Sequence, residues 1–229
     1  MQQTLEMFSI LRRGIVHAIK QEGPLAIEEL ADRLGVTYEA ARQQVRQLQT
    51  EGWVDRGQKQ DRDGRPGRPR TVFGLTFEGD HLFTKNYADL AVEIVDTIAT
   101  ELEPEALKKI LAALTEARVK RWQPMLEGKS LIEKLHLLKE IYHEDDPFTV
   151  VETHGNGSLR LVERNCPFLD VARRRPALCS ITVSTLTRLL GYRVVREEKF
   201  QNGDGCCAFR VLTDQPVDAD RAEFQLESA

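Results

Sequence analysis

The sequence lacks the features that would place it in several large classes of protein. No apolar run approaches the roughly 20 residues that a membrane-spanning helix needs. The opening MQQTLEMFSILRRG lacks the charged, apolar, small-residue order of a signal peptide. Both absences point to a soluble, cytoplasmic chain. No Gly-rich phosphate loop is present, and no nucleophile sits beside a base in a recognisable context, so an enzyme is not expected. There is no internal repeat and no low-complexity tract. Cysteine is scarce: Cys166, Cys179, Cys206 and Cys207 all fall in the last third, and none forms the C-x2-C pair of a zinc finger. His17, His81, His136 and His143 are scattered and read as surface or satisfied core residues. Trp53 and Trp122 read as core or interface residues, and His143-Glu144-Asp145-Asp146 as an acidic solvated loop.

What remains is an ordinary globular balance: 229 residues, 41% apolar and 30% charged, enough for one large domain or two small ones. A net charge of −4 by itself argues against an indiscriminate nucleic-acid binder. The charge is uneven, however. Between Arg62 and Arg70 stand four arginines (Arg62, Arg65, Arg68, Arg70) against one acid, Asp63. A local basic stripe on an acidic chain suits a protein that touches phosphate with one small surface.

Apolar positions at Leu5, Phe8, Leu11, Ile15 and Ile19 have helical spacing, and Gly23-Pro24 stops that helix. Ile27, Leu30, Ala31 and Leu34 predict a short second helix closed by Gly35. Thr37 is the N-cap of a third, from Tyr38 to about Thr50. Trp53–Asp55 and Thr71–Leu75 read as strands flanking a polar loop too rich in Gly and Pro for any core. Three helices, a strand, a basic loop and a strand make a winged helix-turn-helix. Residues 86–116 return to helical periodicity, divided at Pro104, and a further helix covers about 129–142. From Phe148 the texture changes. Strands 148–152 and 158–162 flank the turn His154–Gly157, a helix spans 180–190, and strands lie near 192–198 and 206–212. The fold class is α+β. Its parts are a DNA-binding domain at 1–85, dimerisation helices at 86–146, a cysteine-containing sensor domain at 147–213 and an acidic frayed tail at 214–229.

Within Ala26–Gln49, Leu30, Ala31 and Leu34 form the inner face of the first helix of the motif. Val36, Ala40, Val45 and Leu48 pack the second against it, with small residues at Ala31 and Ala40–Ala41 where the helices cross. The polar face then offers Tyr38, Glu39, Arg42, Gln43 and Arg46. Arginine can bind guanine bidentately and glutamine can bind adenine. Thr37 and the N–H groups near it can hold a phosphate, and Arg62, Arg65, Arg68 and Arg70 reach backbone or minor groove. The partner is double-stranded DNA.

Twelve residues separate Cys166 from Cys179 and twenty-seven separate Cys179 from Cys207. Cys179 opens the 180–190 helix, where the dipole favours thiolate. Cys206 and Cys207 open a strand, so they face opposite ways and at most one joins the other two. Spacing alone leaves small buried cysteines and a metal or redox site equally open. His154, Asn165, Cys206 or solvent would complete a three-cysteine site.

The segments GRPRTVFGLTFEGDHLF (67–83), RLVERNCPF (160–168), Cys179 and GDGCCAFRV (203–211) resemble the SufR-type branch of ArsR/DeoR-like winged-helix regulators, over about residues 10–212. The resemblance implies iron–sulfur-responsive repressors of iron–sulfur assembly genes. It maps three cluster ligands onto Cys166, Cys179 and Cys207 and none onto Cys206. It implies a homodimer with one iron–sulfur cluster per subunit, 4Fe–4S with 2Fe–2S as the alternative. The loaded form would bind operator DNA and repress. Relatives often carry His before Asn-Cys-Pro, where Arg164 stands here. Two other readings remain: a winged-helix regulator sensing a small molecule or zinc, and a thiol switch or thiol redox enzyme using Cys206 and Cys207.

Overall fold

Ser9 caps the first helix by accepting the Arg12 N–H, and Thr37 caps the third through the Ala40 N–H at 3.2 Å. The computed structural model describes residues 5–59, 70–103, 105–143, 145–153, 157–218, 223–224 and 226–227. It divides into two units, Met1–Asn86 and Tyr87–Ala229. The first unit contains α1 (Ile10–Glu22), α2 (Ile27–Leu34), α3 (Tyr38–Thr50), β1 (Val54–Lys59), β2 (Arg70–Leu75) and α4 (Phe77–Asp80). Its core joins Ile15, Val16 and Ile19 of α1, Leu30 of α2, Val45 and Leu48 of α3, and Val54, Phe73 and Leu82. Of the small residues at the helix crossing, Ala41 is fully buried, whereas Val36 and Ala40 are only partly covered.

The turn between α2 and α3 rests on Gly35, whose φ of 64° is open to glycine at no steric cost. β1 and β2 pair antiparallel from Val54 opposite Leu75 to Lys59 opposite Arg70. Leu25 adds a third short rung by exchanging both backbone hydrogen bonds with Phe73. Gly23-Pro24 therefore ends α1 and also starts a strand-like contact, which periodicity did not suggest. The wing residues Arg62, Arg65 and Arg68 lie outside the described residues, as does His154.

The second unit opens with three helices, α5 (Tyr87–Glu101), α6 (Ala106–Leu126) and α7 (Leu131–Tyr142). β3 (Val150–Thr153), β4 (Leu159–Glu163), β5 (Tyr192–Glu198) and β6 (Cys207–Pro216) form an antiparallel sheet in the order β3-β4-β6-β5. Two helices, α8 (Leu169–Arg174) and α9 (Ser180–Leu190), lie between β4 and β5 in the chain. Val119 and Leu126 of α6, Leu135 and Leu138 of α7, and Leu186, Leu189 and Leu190 of α9 share one core with Leu161, Val194, Phe209 and Val211 of the sheet. α6 and α7 and the sheet thus bury each other's apolar faces. The tail reading is corrected in two places. β6 continues past Thr213 to Pro216, and the backbone N–H of Glu227 donates to Ser180 at 2.8 Å.

In α4, Gly79 runs against the backbone of Trp53, and a Cβ there would stand 1.9 Å from the Trp53 carbonyl oxygen. Gly79→Ala is expected to cost roughly 1–3 kcal/mol in urea unfolding through overpacking. Gly57→Ala, whose Cβ would meet Val72 at 3.8 Å, should cost clearly less. Equal stability of the two variants would contradict this packing.

Candidate nucleic-acid surface and thiol cluster

α3 turns Ala41, Val45 and Leu48 inward, so helical periodicity leaves Glu39, Arg42, Gln43, Arg46 and Gln47 along a shallow polar surface. Tyr38 is exposed at its start. Arg42 is held by the Glu39 carboxylate at 3.1 and 3.2 Å. Among the described residues the side chains of Gln43 and Arg46 have no hydrogen-bond or ion-pair partner, so they meet another molecule without first breaking a contact. The Thr37 oxygen is engaged by its cap, which leaves the hydroxyl hydrogen to donate. Arg70 pairs with Glu29 at 3.0 Å. Arg56 on β1, which the sequence did not single out, is exposed and reaches Thr71 at 3.2 Å. Strand alternation next to a basic loop was the available signal for it.

In the second unit, pairing of β4 with β6 sets Glu163 opposite Cys207 and Val162 opposite Ala208. Cys207 joins the core beneath the helices, while Cys206 joins Val162 and Ala208 on the other face. The Cys206 thiol donates to Glu198 at 3.0 Å, and Glu198 in turn pairs with Arg160. A register shift between Arg196 and Glu198 turns Glu198 toward that outer face. Arg196 stays inside. Its side chain is only 3% exposed, it reaches the Cys207 sulfur at 3.9 Å, and it pairs with Glu227 at 2.8 Å. Gln201 donates to the Cys179 sulfur at 3.2 Å. The Cys166 thiol is pushed up to about 11, first by burial, and further by the nearby charges of Glu163, Cys207 and Cys179, against a backbone hydrogen bond from Phe168. Burial also raises the Cys207 thiol. The charges of Cys179 and Cys207 thus reach Cys166 and also reach Arg196, whereas Cys206, although the Cys207 charge reaches it too, lies on the opposite face of the sheet. Among the described residues, no three His, Cys, Asp or Glu side chains stand close enough to hold a metal ion.

The loop before Cys166 has a definite support. Asp146 is 2% exposed and accepts the backbone N–H groups of Phe148, Arg164 and Asn165. The acidic loop is thus solvated only in part, and Asp146 serves as an internal anchor. The Asn165 side-chain amide donates to the Asp145 carbonyl at 2.7 Å. Glu163 has no hydrogen bond or ion pair among the described residues. Burial, then the charge of Asp146, pushes its carboxyl up to about 7. Of the three consecutive arginines, Arg174 pairs with Asp89 at 2.7 Å and Arg175 grips Asp96 with two donors, so α8 is fastened to α5. Arg173 is exposed to solvent.

Arg196, Gln201 and Glu163 were not found from the sequence. Their approach to the cysteines depends on strand register across β4, β6 and β5, which spacing along the chain does not reveal.

Residues 11–66 match the MarR family. The matched family is MarR, whereas the motif resemblance pointed to ArsR/DeoR-like regulators, and the match ends before the cysteine-bearing unit begins. No curated protein sequence gives a significant match. Among solved structures, a mutant of MepR from a multidrug resistant S. aureus clinical isolate is 22% identical, covering 51% of this chain and 82% of that one, with a TM-score of 0.29. A MarR family regulator from Neisseria meningitidis is 12% identical, covering 56% and 85% respectively, also at 0.29. The N-terminal unit is a winged helix-turn-helix domain, and the C-terminal unit is a small sheet domain covered by helices. Among the described residues no helix is long and apolar enough to cross a membrane.

Proposed function

We propose that this protein is a transcriptional regulator that binds operator DNA as a homodimer and responds to an iron–sulfur cluster held by Cys166, Cys179 and Cys207. The observation that carries the sensing half is the sorting of the thiols. Cys166 feels the charges of Cys179 and Cys207, those two flank the buried Arg196, and Cys206 is turned to the other face of the sheet and to Glu198. The observation that carries the DNA half is the free, exposed Gln43 and Arg46 on the second helix of a helix-turn-helix.

The donor set fits a cluster better than a single zinc. Bonds of about 2.3 Å to one tetrahedral ion would draw the sulfurs to about 3.8 Å apart. No such group stands ready among the described residues. A four-iron cluster would take one thiolate per iron, so Cys166, Cys179 and Cys207 would not have to converge on one ion. When bound, the cluster supplies a cross-link between three cysteines that oxidants or iron loss can break. Around it, the guanidinium of Arg196 offsets thiolate charge, and Asp146 holds the backbone that presents Cys166.

The chain supplies a route from this site toward a dimer contact. Cys166 and Cys179 bracket α8, and Arg174 at its end and Arg175 just after it hold Asp89 and Asp96 of α5. α5 and the start of α6 expose Tyr87, Leu90, Ile94, Ile110 and Leu114. Exposed apolar side chains arrayed along a helix suit burial against a second copy. A shift of α8 would move α5, and through the dimer contact would reset the spacing of two recognition helices.

Duplexes selected from a random pool by the anaerobically purified protein test the DNA half. Arg46→Ala should lose about 1–3 kcal/mol of affinity for the selected sequence. Unchanged affinity and unchanged base preference would remove α3 from the interface. Iron and sulfide analysis with visible spectra tests the sensing half. The wild-type protein should be brown, and Ser at position 166, 179 or 207 should abolish loading, whereas Cys206→Ser should load normally. Equal loss at all four cysteines, or a colourless wild type that resists reconstitution, would overturn the cluster and return the second unit to a small-molecule or zinc sensor.

A further inference from the structure

Three cysteines leave one iron of a four-iron cluster without a protein ligand, and the structure restricts what can reach it. Cys206 lies across the sheet and its thiol is spent on Glu198. Asn165 is exposed, and with its amide N–H donated to the Asp145 carbonyl it offers only a neutral amide oxygen, without the charge of a carboxylate. His154 lies outside the described residues. Asp146 is spent on three backbone N–H groups, and Asp145 is exposed.

Glu163 differs from all of these. It is the cross-strand partner of Cys207. Alternation along β4 puts it on the same face as Leu161, the face that carries Cys207. It stands three residues before Cys166, and the two side chains share a cavity of about 250 Å3 walled by Arg118, Trp122 and Tyr142. It is half-buried and has no hydrogen bond or ion pair among the described residues. Arg118 and Arg196 act on it only through their charge, and a half-buried carboxyl without a hydrogen bond costs free energy unless something coordinates it. Among the described residues Arg160, Arg174, Arg175, Arg196 and Arg210 each make a direct ion pair with another acid, and none with Glu163.

Resting on the cluster reading above, we propose that the Glu163 carboxylate is the fourth ligand, bound to the iron that no cysteine reaches. The carboxyl gives up its proton on binding, as each thiol does. An oxygen ligand is harder than thiolate and holds iron in a sulfur cluster less firmly. The Glu163 iron is then the first to leave, and the cavity beside it is the way in for solvent and oxidant.

Mössbauer spectroscopy of the full-length protein, reconstituted anaerobically with iron-57 and sulfide, tests this. In the wild type about one iron in four should carry an oxygen-ligand signature distinct from the other three. Glu163→Cys should convert that signature to the thiolate type and slow iron loss to a chelator about tenfold or more. Glu163→Ala and the isosteric Glu163→Gln should lose about one iron in four on mild oxidation by ferricyanide, faster than wild type. Circular dichroism confirms that each variant is folded. A loaded wild type whose spectrum and chelation rate are unmoved by all three variants overturns the Glu163 assignment and leaves the cluster standing. A wild type that takes up no iron overturns both.

Discussion

Side chains alternate across the pleat of β6, and this alternation decides which cysteines can act together. Cys207, Phe209 and Val211 go under the helices, and Cys206 and Ala208 go to the opposite face. The neighbouring strands obey the same rule from either side. β4 lays Glu163 opposite Cys207, and β5 lays Arg196 opposite Phe209 before its register shift carries Glu198 outward. A slip of one residue in either pairing would exchange the two faces and break up the group. The buried contacts of Leu161, Val194 and Phe209 with α6, α7 and α9 make such a slip costly, because it would move apolar side chains out of the core. The hydrophobic core of the second unit is therefore also the device that sorts its thiols.

Within that unit the cysteines are connected to surface by charge pairs. Asp146 fixes the loop before Cys166, and the two arginines at the end of α8 fix the segment before Cys179 to α5. The Arg174 and Arg175 pairs are partly exposed, and pairs of this kind contribute little to stability. Their role in this account is to set geometry, since a bidentate guanidinium–carboxylate contact fixes orientation as well as distance.

The winged helix was legible because its signals are local. Apolar spacing gave α1 to α3, Thr37 and Gly35 marked their ends, and the polar Gly/Pro loop separated β1 from β2. The bridge of Leu25 to Phe73 was not visible, since it links residues 48 positions apart with no pattern of their own. In the second unit the helix at 180–190 and the hairpins were legible. The core shared by its helices and sheet was not, because α6 and α7 bury against strands that follow much later in the chain. The same limit applied to the site. The opposite orientation of Cys206 and Cys207 followed from strand alternation, but Glu163, Arg196 and the anchoring role of Asp146 needed the register of three strands. The acidic look of His143–Asp146 concealed a buried carboxylate whose three amide partners give no signal in the sequence.

The central claim is that the thiol-bearing unit controls DNA binding by the winged helix. The most direct test is the affinity of one preparation for its selected duplex, measured anaerobically at fixed salt after reconstitution with iron and sulfide and again after treatment with a chelator that would strip the proposed cluster. The account predicts that loaded protein binds about 5-fold to 150-fold tighter than stripped protein, and that reconstitution restores the difference. Equal affinity of loaded and stripped protein would contradict it, because a group that binds both states alike shifts neither.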